Sequence, residues 1–178
     1  PNANISRAEF AAVMDNLVKQ YIDTEGEVAE LTESGNVLIR VSGVTLKNLT
    51  INGDLIIADG VDEGNVTLDN VKVEGRTVVR GGGENSIIVK GNSDLGKVLV
   101  YKVHGNVRIA VDGASKVGII YIADGSNDVF IEGKVGMLEV AGNGITAIAT
   151  KAFISNAIVN GDNPKIILKS NSSLNEGI

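Results

Sequence analysis

A ten-residue stretch of this chain occurs twice. Val44-Thr45-Leu46-Lys47-Asn48-Leu49-Thr50-Ile51-Asn52-Gly53 is echoed, 22 residues later and without a gap, by Val66-Thr67-Leu68-Asp69-Asn70-Val71-Lys72-Val73-Glu74-Gly75. A period near twenty residues made of short β-rich pieces specifies a solenoid, in which each repeat buries its apolar face only by stacking on the next. Such a chain offers a long ladder face before it offers a cleft.

Period-2 alternation within the repeat sends Leu49, Ile51, Val71 and Val73 inward and Thr50, Asn52, Lys72 and Glu74 outward. The same slots are filled by Tyr101-Lys102-Val103-His104-Gly105 and then by Tyr121-Ile122-Ala123-Asp124-Gly125. The wider gap between Gly75 and Gly105 implies an insertion in Gly91–Gly96. Further strands are expected at Val129–Glu132, Val135–Val140, Ile145–Ala149 and Ile166–Leu168, giving six or seven turns. Asn48 and Asn70 occupy equivalent corners, where Asn tolerates left-handed backbone and its amide can bond the Asn one turn away. In the third turn that slot holds Val100, so the ladder is short. Parallel crossovers are right-handed in the great majority of cases. The reading is therefore all-β: a right-handed parallel β-helix, residues 26–178, capped by an N-terminal region, residues 1–25, that holds one α-helix.

That helix announces itself at Ser6-Arg7-Ala8-Glu9, a capping box. Phe10, Val13, Met14, Leu17, Val18 and Tyr21 follow at helical spacing, so the helix is expected from Arg7 to about Tyr21. Its apolar stripe would close the open end of the solenoid.

Composition narrows the chemistry. The chain is 43% hydrophobic but only 3% aromatic, so the apolar mass is Val, Ile and Leu, as in buried parallel strands. Net charge is −6 and the sequence pI is about 4.8, which disfavours nucleic acid and anionic membrane surfaces as partners. No apolar run reaches transmembrane length. The absence of Cys removes disulfides, thiolate catalysis and most structural zinc sites.

Nothing here reads as an enzyme. His104, the only His, has no nucleophile paired with it by a recognisable motif, and the carboxylates are scattered over Gly-rich turns rather than set as a pair. Gly81-Gly82-Gly83 lacks the Lys-Ser/Thr of a phosphate loop. The loop Ala58–Asn65 gathers Asp59, Asp62 and Glu63. Adding 22 sets Glu84 below Asp62 and Asn85 below Glu63, a stack of oxygens that suits calcium, against the plainer reading of a hydrated turn. Asp112, Asp124 and Asp128 form a second candidate. For a repeating polymer, the contacts would come from the outward stripe Asn52, Lys72, Glu74, Lys102 and His104. Tyr101 and Tyr121 share the inward slots of Leu49 and Val71; a one-residue slip would turn both outward as a stacking platform.

Two resemblances add to this. Ile5-Ser6-Arg7-Ala8-Glu9-Phe10-Ala11-Ala12-Val13-Met14 resembles the closing helix of an S-layer homology repeat. The rest, above all Val44 to Gly83, resembles carbohydrate-binding module family 54, found in a large modular β-1,3-glucanase of clostridial type. The resemblance implies a monomeric, extracellular, non-catalytic module that holds linked catalytic and surface-layer modules on insoluble polysaccharide (β-glucan, xylan or chitin-like), with calcium as a structural ion. The alternatives are a ligand-free spacer of a surface-layer protein and a calcium-dependent polysaccharide lyase.

Overall fold

A computed structural model describes residues 6–177, without the Phe10 side chain. It is a parallel β-solenoid of about eight turns preceded by one short helix. Every strand pairing is parallel. The helix, α1 (Arg7–Leu17), is followed by β1 (Gln20–Ile22), β2 (Gly26–Val28), β3 (Val37–Ile39), β4 (Val44–Ile51), β5 (Leu55–Ile57) and β6 (Val66–Val79). Then come β7 (Ile88–Lys90), β8 (Asp94–Val100), β9 (Val107–Val111), β10 (Lys116–Ile122), β11 (Val129–Val140), β12 (Thr146–Val159), β13 (Lys165–Leu168) and β14 (Ser173–Gly177).

The pairings sort into three faces. The first joins β1, β3, β5 and the ends of β6, β8, β10, β11 and β12. The second joins β2, β7, β9 and β13 through the starts of β4, β6, β11 and β12. The third carries the remaining halves, from Leu49–Ile51 to β14. Long strands such as β6 simply run round a corner.

The inward alternation read from the repeat holds: Leu49, Ile51, Val71 and Val73 are all buried. So is Leu68, fully, one turn from Leu46. The interior is a continuous column of Val, Ile, Leu and Ala. Asn48 and Asn70 both sit at positive φ, +55°, and the Asn70 amide donates to Asn48 Oδ1 at 2.8 Å. The next corner is not Val100, which is a core residue of the first face; it is Asn92, again at positive φ, 22 residues on. Lys151 and Asn171 repeat the left-handed corner in later turns.

Turn length also differs from the reading. Register places Leu95 next to Val73 and Val100 next to Val79, so the third turn holds 21 or 22 residues and no insertion. The chain passes from third face to first through Gly96 there, one residue shorter than through Glu74-Gly75. The Gly105 alignment, and with it the placing of Tyr101 under Leu49, does not hold.

The helix differs too. The capping box is present, with Glu9 N donating to Ser6 Oγ and Ser6 N to Glu9 Oε2. But α1 ends at Leu17, and Tyr21 already belongs to a strand. Val13, Met14 and Leu17 are about half exposed, so the helix does not close the core. Its last carbonyl accepts from Asn36 Nδ2, which ties it to the second turn. Leu31, in the segment after β2, packs against the core instead. Ile5 lies outside the described residues.

Truncating a rung residue tests this architecture. Leu68→Ala is expected to cost about 2–5 kcal/mol, since it removes buried methyl groups and leaves a cavity between two fixed rungs. Both Asn70→Val and Asn70→Gly remove the bond to Asn48, but only valine also strains the left-handed corner, so Asn70→Val is expected to lower the melting temperature more than Asn70→Gly does. Thermal unfolding followed by circular dichroism reads both.

Candidate binding face

The turn acids are largely the ends of ladders. Where a corner breaks strand pairing, a side chain of one turn accepts an amide of the next. Asp54 Oδ1 accepts from Arg76 N at 2.7 Å, Asp124 from Asn143 N at 3.0 Å and Asp128 from Thr146 N at 2.9 Å. Asp112 accepts from the Gly91, Ala114 and Ser115 amides. Asn36 and Asn143 do the same for the Asp54 and Asp162 amides. The Ser115 side chain, and after it the three amides, hold the Asp112 carboxyl below the ordinary range against its partial burial. Asp124 and Asp128 therefore both serve the loop of the next turn, and Asp112 serves a different corner.

The loop 58–65 is arranged differently from the expected stack. Asp62 O accepts from Gly82 N, and Gly83 N donates to Gly64 O, so Gly82 and Gly83 hold the places assigned to Glu84 and Asn85. A Cβ on Gly83 would collide with the Glu63 carbonyl, which is why a glycine run lies here. Asp59 pairs with Arg80 at 2.8 Å and Glu63 with Lys102 at 2.9 Å. Glu84 accepts from Asn106, and Asn85 is exposed. Among the described residues no three His, Cys, Asp or Glu side chains gather as a metal-holding group.

The predicted outward stripe separates into three places. Asn52, Lys72 and Glu74 are exposed on the third face or just past it, Asn52 bonded to Ser34 Oγ and Lys72 to Glu74 at 2.7 Å. His104 is exposed in the loop after β8. Lys102 is not outward at all. It is 4% exposed, and its Nζ donates to Glu63 Oε1 and the Asp62 carbonyl. This lysine crosses from one loop to another two turns away and clamps them.

The two tyrosines face out, on the first face. Tyr121 lies between buried Ile120 and Ile122 in β10, its side chain on the opposite side of the strand. Tyr101 follows Val100 and is 38% exposed. They are not in matching slots: Tyr121 stacks beside Leu99, and Tyr101 beside Ala123. Diagonal neighbours one turn and two residues apart are about 8 Å from each other.

Register then shows a feature that sequence reading missed. The outward position occupied by Tyr121 is held in successive turns by Tyr21, Leu38, Ile56, Val78 and Leu99 before it, and by Glu139 and Ile158 after it. Seven of eight rungs thus place an apolar or aromatic side chain on the outer side of the first face, six of them at least partly exposed and Leu99 almost covered. The stripe runs about 34 Å at ~4.8 Å per rung. Cationic side chains border it. Arg76 and Lys97 lie on one side, the Lys97 ammonium 5.8 Å from the Tyr121 ring centroid; Arg40 and Arg80 lie on the other. Alternation apolar-in, apolar-out would have signalled it, as at Leu55-Ile56-Ile57 and Val98-Leu99-Val100.

Beside the stripe, at the corner from third face to first, lies an open groove of about 540 Å³. Gly96, Gly118 and Gly136 stack as its floor, and Lys116, Lys134 and Phe153 stand along it. Phe153 is 58% exposed. A Cβ on Gly118 or Gly136 would strike the carbonyl of the glycine one turn before it.

Comparison with protein-family models, curated proteins and solved structures found no match.

Two outcomes follow from the ion pairs. The Arg76 guanidinium beside Asp54 holds its carboxyl below the usual range, and Arg80 does so for Asp59. A lowered folded value means that this stabilisation is complete above the ordinary Asp value of about 3.9 and is lost as pH falls through the folded value. Asp54→Asn is therefore expected to lower the melting temperature at pH 7, with the gap to the parent protein closing on titration into the acid range. Glu63→Gln, which leaves the Lys102 ammonium buried without its counter-charge, is expected to lower the melting temperature at neutral pH, and added calcium is expected not to restore it.

Proposed function

We propose that this protein is a non-catalytic module that binds an insoluble polysaccharide along the first face. The observation that supports the reading is the outward apolar stripe. It carries Tyr121, with Tyr101 diagonal to it, between rows of Arg and Lys side chains. A pyranose ring has a flat face of C–H groups that stacks on an aromatic ring, and hydroxyls at its rim that accept from guanidinium and ammonium donors. A polymer repeats those features along its length. A stripe repeating every rung therefore meets it many times, and weak contacts accumulate.

The resemblance to carbohydrate-binding module family 54 points the same way, with β-glucan, xylan and chitin-like walls as the class of ligand. Such a module acts by raising the local concentration of whatever is linked to it, at a cell surface or outside the cell. The groove floored by Gly96, Gly118 and Gly136 borders the stripe, so Phe153 is a further aromatic contact beside Tyr101 and Tyr121. The ligand-free spacer is the other reading of a rod of this kind, and the same experiment separates the two.

The test is retention on insoluble glucan, xylan and chitin. Binding to at least one is expected, and Tyr101→Ala with Tyr121→Ala is expected to weaken it at least ten-fold with an unchanged circular dichroism spectrum. Lys72→Ala and His104→Ala are expected to bind as the parent does. No retention on any of the three favours the spacer, and release of unsaturated oligosaccharides favours the lyase.

A further inference from the structure

Charge is ordered differently on different faces of this rod. On the second face it alternates: Lys47, Asp69 and Lys90 follow one another in register, and Lys90 pairs with Asp69 at 3.3 Å. Opposite charges on neighbouring strands stabilise a sheet, and like charges side by side destabilise it. At the corner from third face to first the order is reversed. Arg76 and Lys97 are direct register partners. Lys116 and Lys134, each just before the paired Val117 and Val135, occupy the same outward position in successive turns.

Counter-charges do not remove the repulsion. From Lys72 to Lys134 there are nine basic side chains, and seven of them make an ion pair. Lys97 and Lys134 make none among the described residues, and both are exposed. Each stands beside a cation, Arg76 or Lys116, whose own carboxylate comes from the turn before it, Asp54 or Asp94. The fold does not call for charge here: Asn156 fills the position of Lys97 three turns on, and Phe153 that of Lys134 one turn on. In a chain of net charge −6, two stacked like-charge contacts are a local excess of positive charge that stability does not explain.

An apolar track runs obliquely past these cations. Tyr101, Tyr121, Met137 and Phe153 each lie one turn further along the rod and one step nearer to the third face. Tyr101 is beside Ala123, two residues after Tyr121; Tyr121 is beside Glu139, two after Met137; Met137 is beside Asn156, three after Phe153. The last step crosses the glycine floor of the groove of about 540 Å³. Lys97, Lys116 and Lys134 stand on the bank toward the first turns, the Lys97 ammonium 5.8 Å from the Tyr121 ring centroid. The other bank is Glu139, Ser155 and Asn156, and Glu139 already accepts from Asn160 Nδ2.

We propose that the polysaccharide held by the first face is acidic, its rings carrying carboxylate or sulfate groups, and that Lys97 and Lys134 receive those groups as the chain crosses the rod over Tyr101, Tyr121, Met137 and Phe153. The proposal rests on the reading of this face as a glycan-binding surface and narrows its ligand. Ring faces stack on the apolar track, and a negative group at the rim reaches the ammonium on the cationic bank. An anion set between Arg76 and Lys97, or between Lys116 and Lys134, turns each repulsion into an attraction. Lysine is a point charge without the planar fork of arginine, so the two unpaired cations select for charge and not for carboxylate over sulfate. The acidity of the rest of the chain confines a charged polymer to this strip.

Matched polymers test it. Retention is measured on insoluble glucuronoxylan and on the same xylan with its carboxyls reduced to alcohols, and on β-glucan before and after sulfation. At low ionic strength the charged form is expected to be bound at least ten-fold more tightly than its uncharged match, and molar salt is expected to abolish the difference. A difference in the xylan pair alone assigns the strip to carboxylates, and one in the glucan pair alone to sulfate esters. Lys97→Gln with Lys134→Gln keeps hydrogen-bond donors at both positions. It is expected to lose the preference, to bind the uncharged polymers as the parent does, and to keep the parent's circular dichroism spectrum. Lys151→Gln with Lys165→Gln removes the same charge elsewhere and is expected to keep the preference. Equal retention on charged and uncharged forms would overturn this proposal and leave the glycan-binding reading standing. A preference that survives in the Lys97 and Lys134 double variant would overturn it too. No retention on any of the polymers would overturn the glycan-binding reading itself, and this proposal with it.

Discussion

Rung-on-rung hydrogen bonding is the constraint from which the rest of this molecule follows. Along the strands each turn takes its backbone partners from the turn before and after it, and bonds within a turn, such as Gly64 N to Val61 O, are confined to the corners. The ladder fixes register, and register fixes which side chains face in. Val44, Leu46, Leu49 and Ile51 meet Val66, Leu68, Val71 and Val73 one for one, and the core is a pile of such matches. Where the strands bend, side-chain acceptors extend the ladder across the gap: Asn48 for Asn70, Asp54 for Arg76, Asp128 for Thr146. Acidity in the turns is, in this sense, part of the backbone's hydrogen bonding.

The fold was readable because two consecutive turns are nearly identical in sequence. Alternation within Val44–Gly53 correctly divided inside from outside, and Asn48 and Asn70 marked their corner. Reading failed where the repeat lost its spelling. Between Val73 and Leu99 the corner loses one residue, so the Gly that ends each early repeat ceases to be a register mark. Gly105, aligned by that Gly, belongs instead to a loop against the Glu63 side chain. Two errors descend from this single slip: Tyr101 was set inside, and Lys102 was set outside. The helix failed for another reason. Amphipathic spacing from Phe10 to Tyr21 says that a stripe exists, and says nothing of what covers it. In the fold, Leu31 takes part of that work.

The candidate face was hidden by the same property that makes the core simple. In half-buried strands the outward residues are polar, and the sequence then labels its own surface. Along the first face they are not. Leu38, Ile56 and Leu99 face out between inward residues that are equally apolar, and Val78 between Thr77 and Val79, so no polar alternation separates them. Only the turn-to-turn register reveals that they form one line with Tyr21 and Tyr121. The cations beside that line, Arg76, Arg80 and Lys97, keep it wettable while leaving its centre dry.

Turn length varies in this rod, and the variation is local. From third face to first, the chain steps three or four positions from one inward residue to the next, as from Val135 to Leu138 or from Ile51 to Leu55. From first face to second, it steps seven positions from Val37 to Val44 but eleven from Leu55 to Val66. One edge of the prism is thus a rigid spine, and another is an elastic margin that already accepts four extra residues without disturbing a rung. Foreign peptides grafted at that margin, in the segment 58–65 or its counterparts, would be displayed at intervals of a few ångströms while the spine kept its shape.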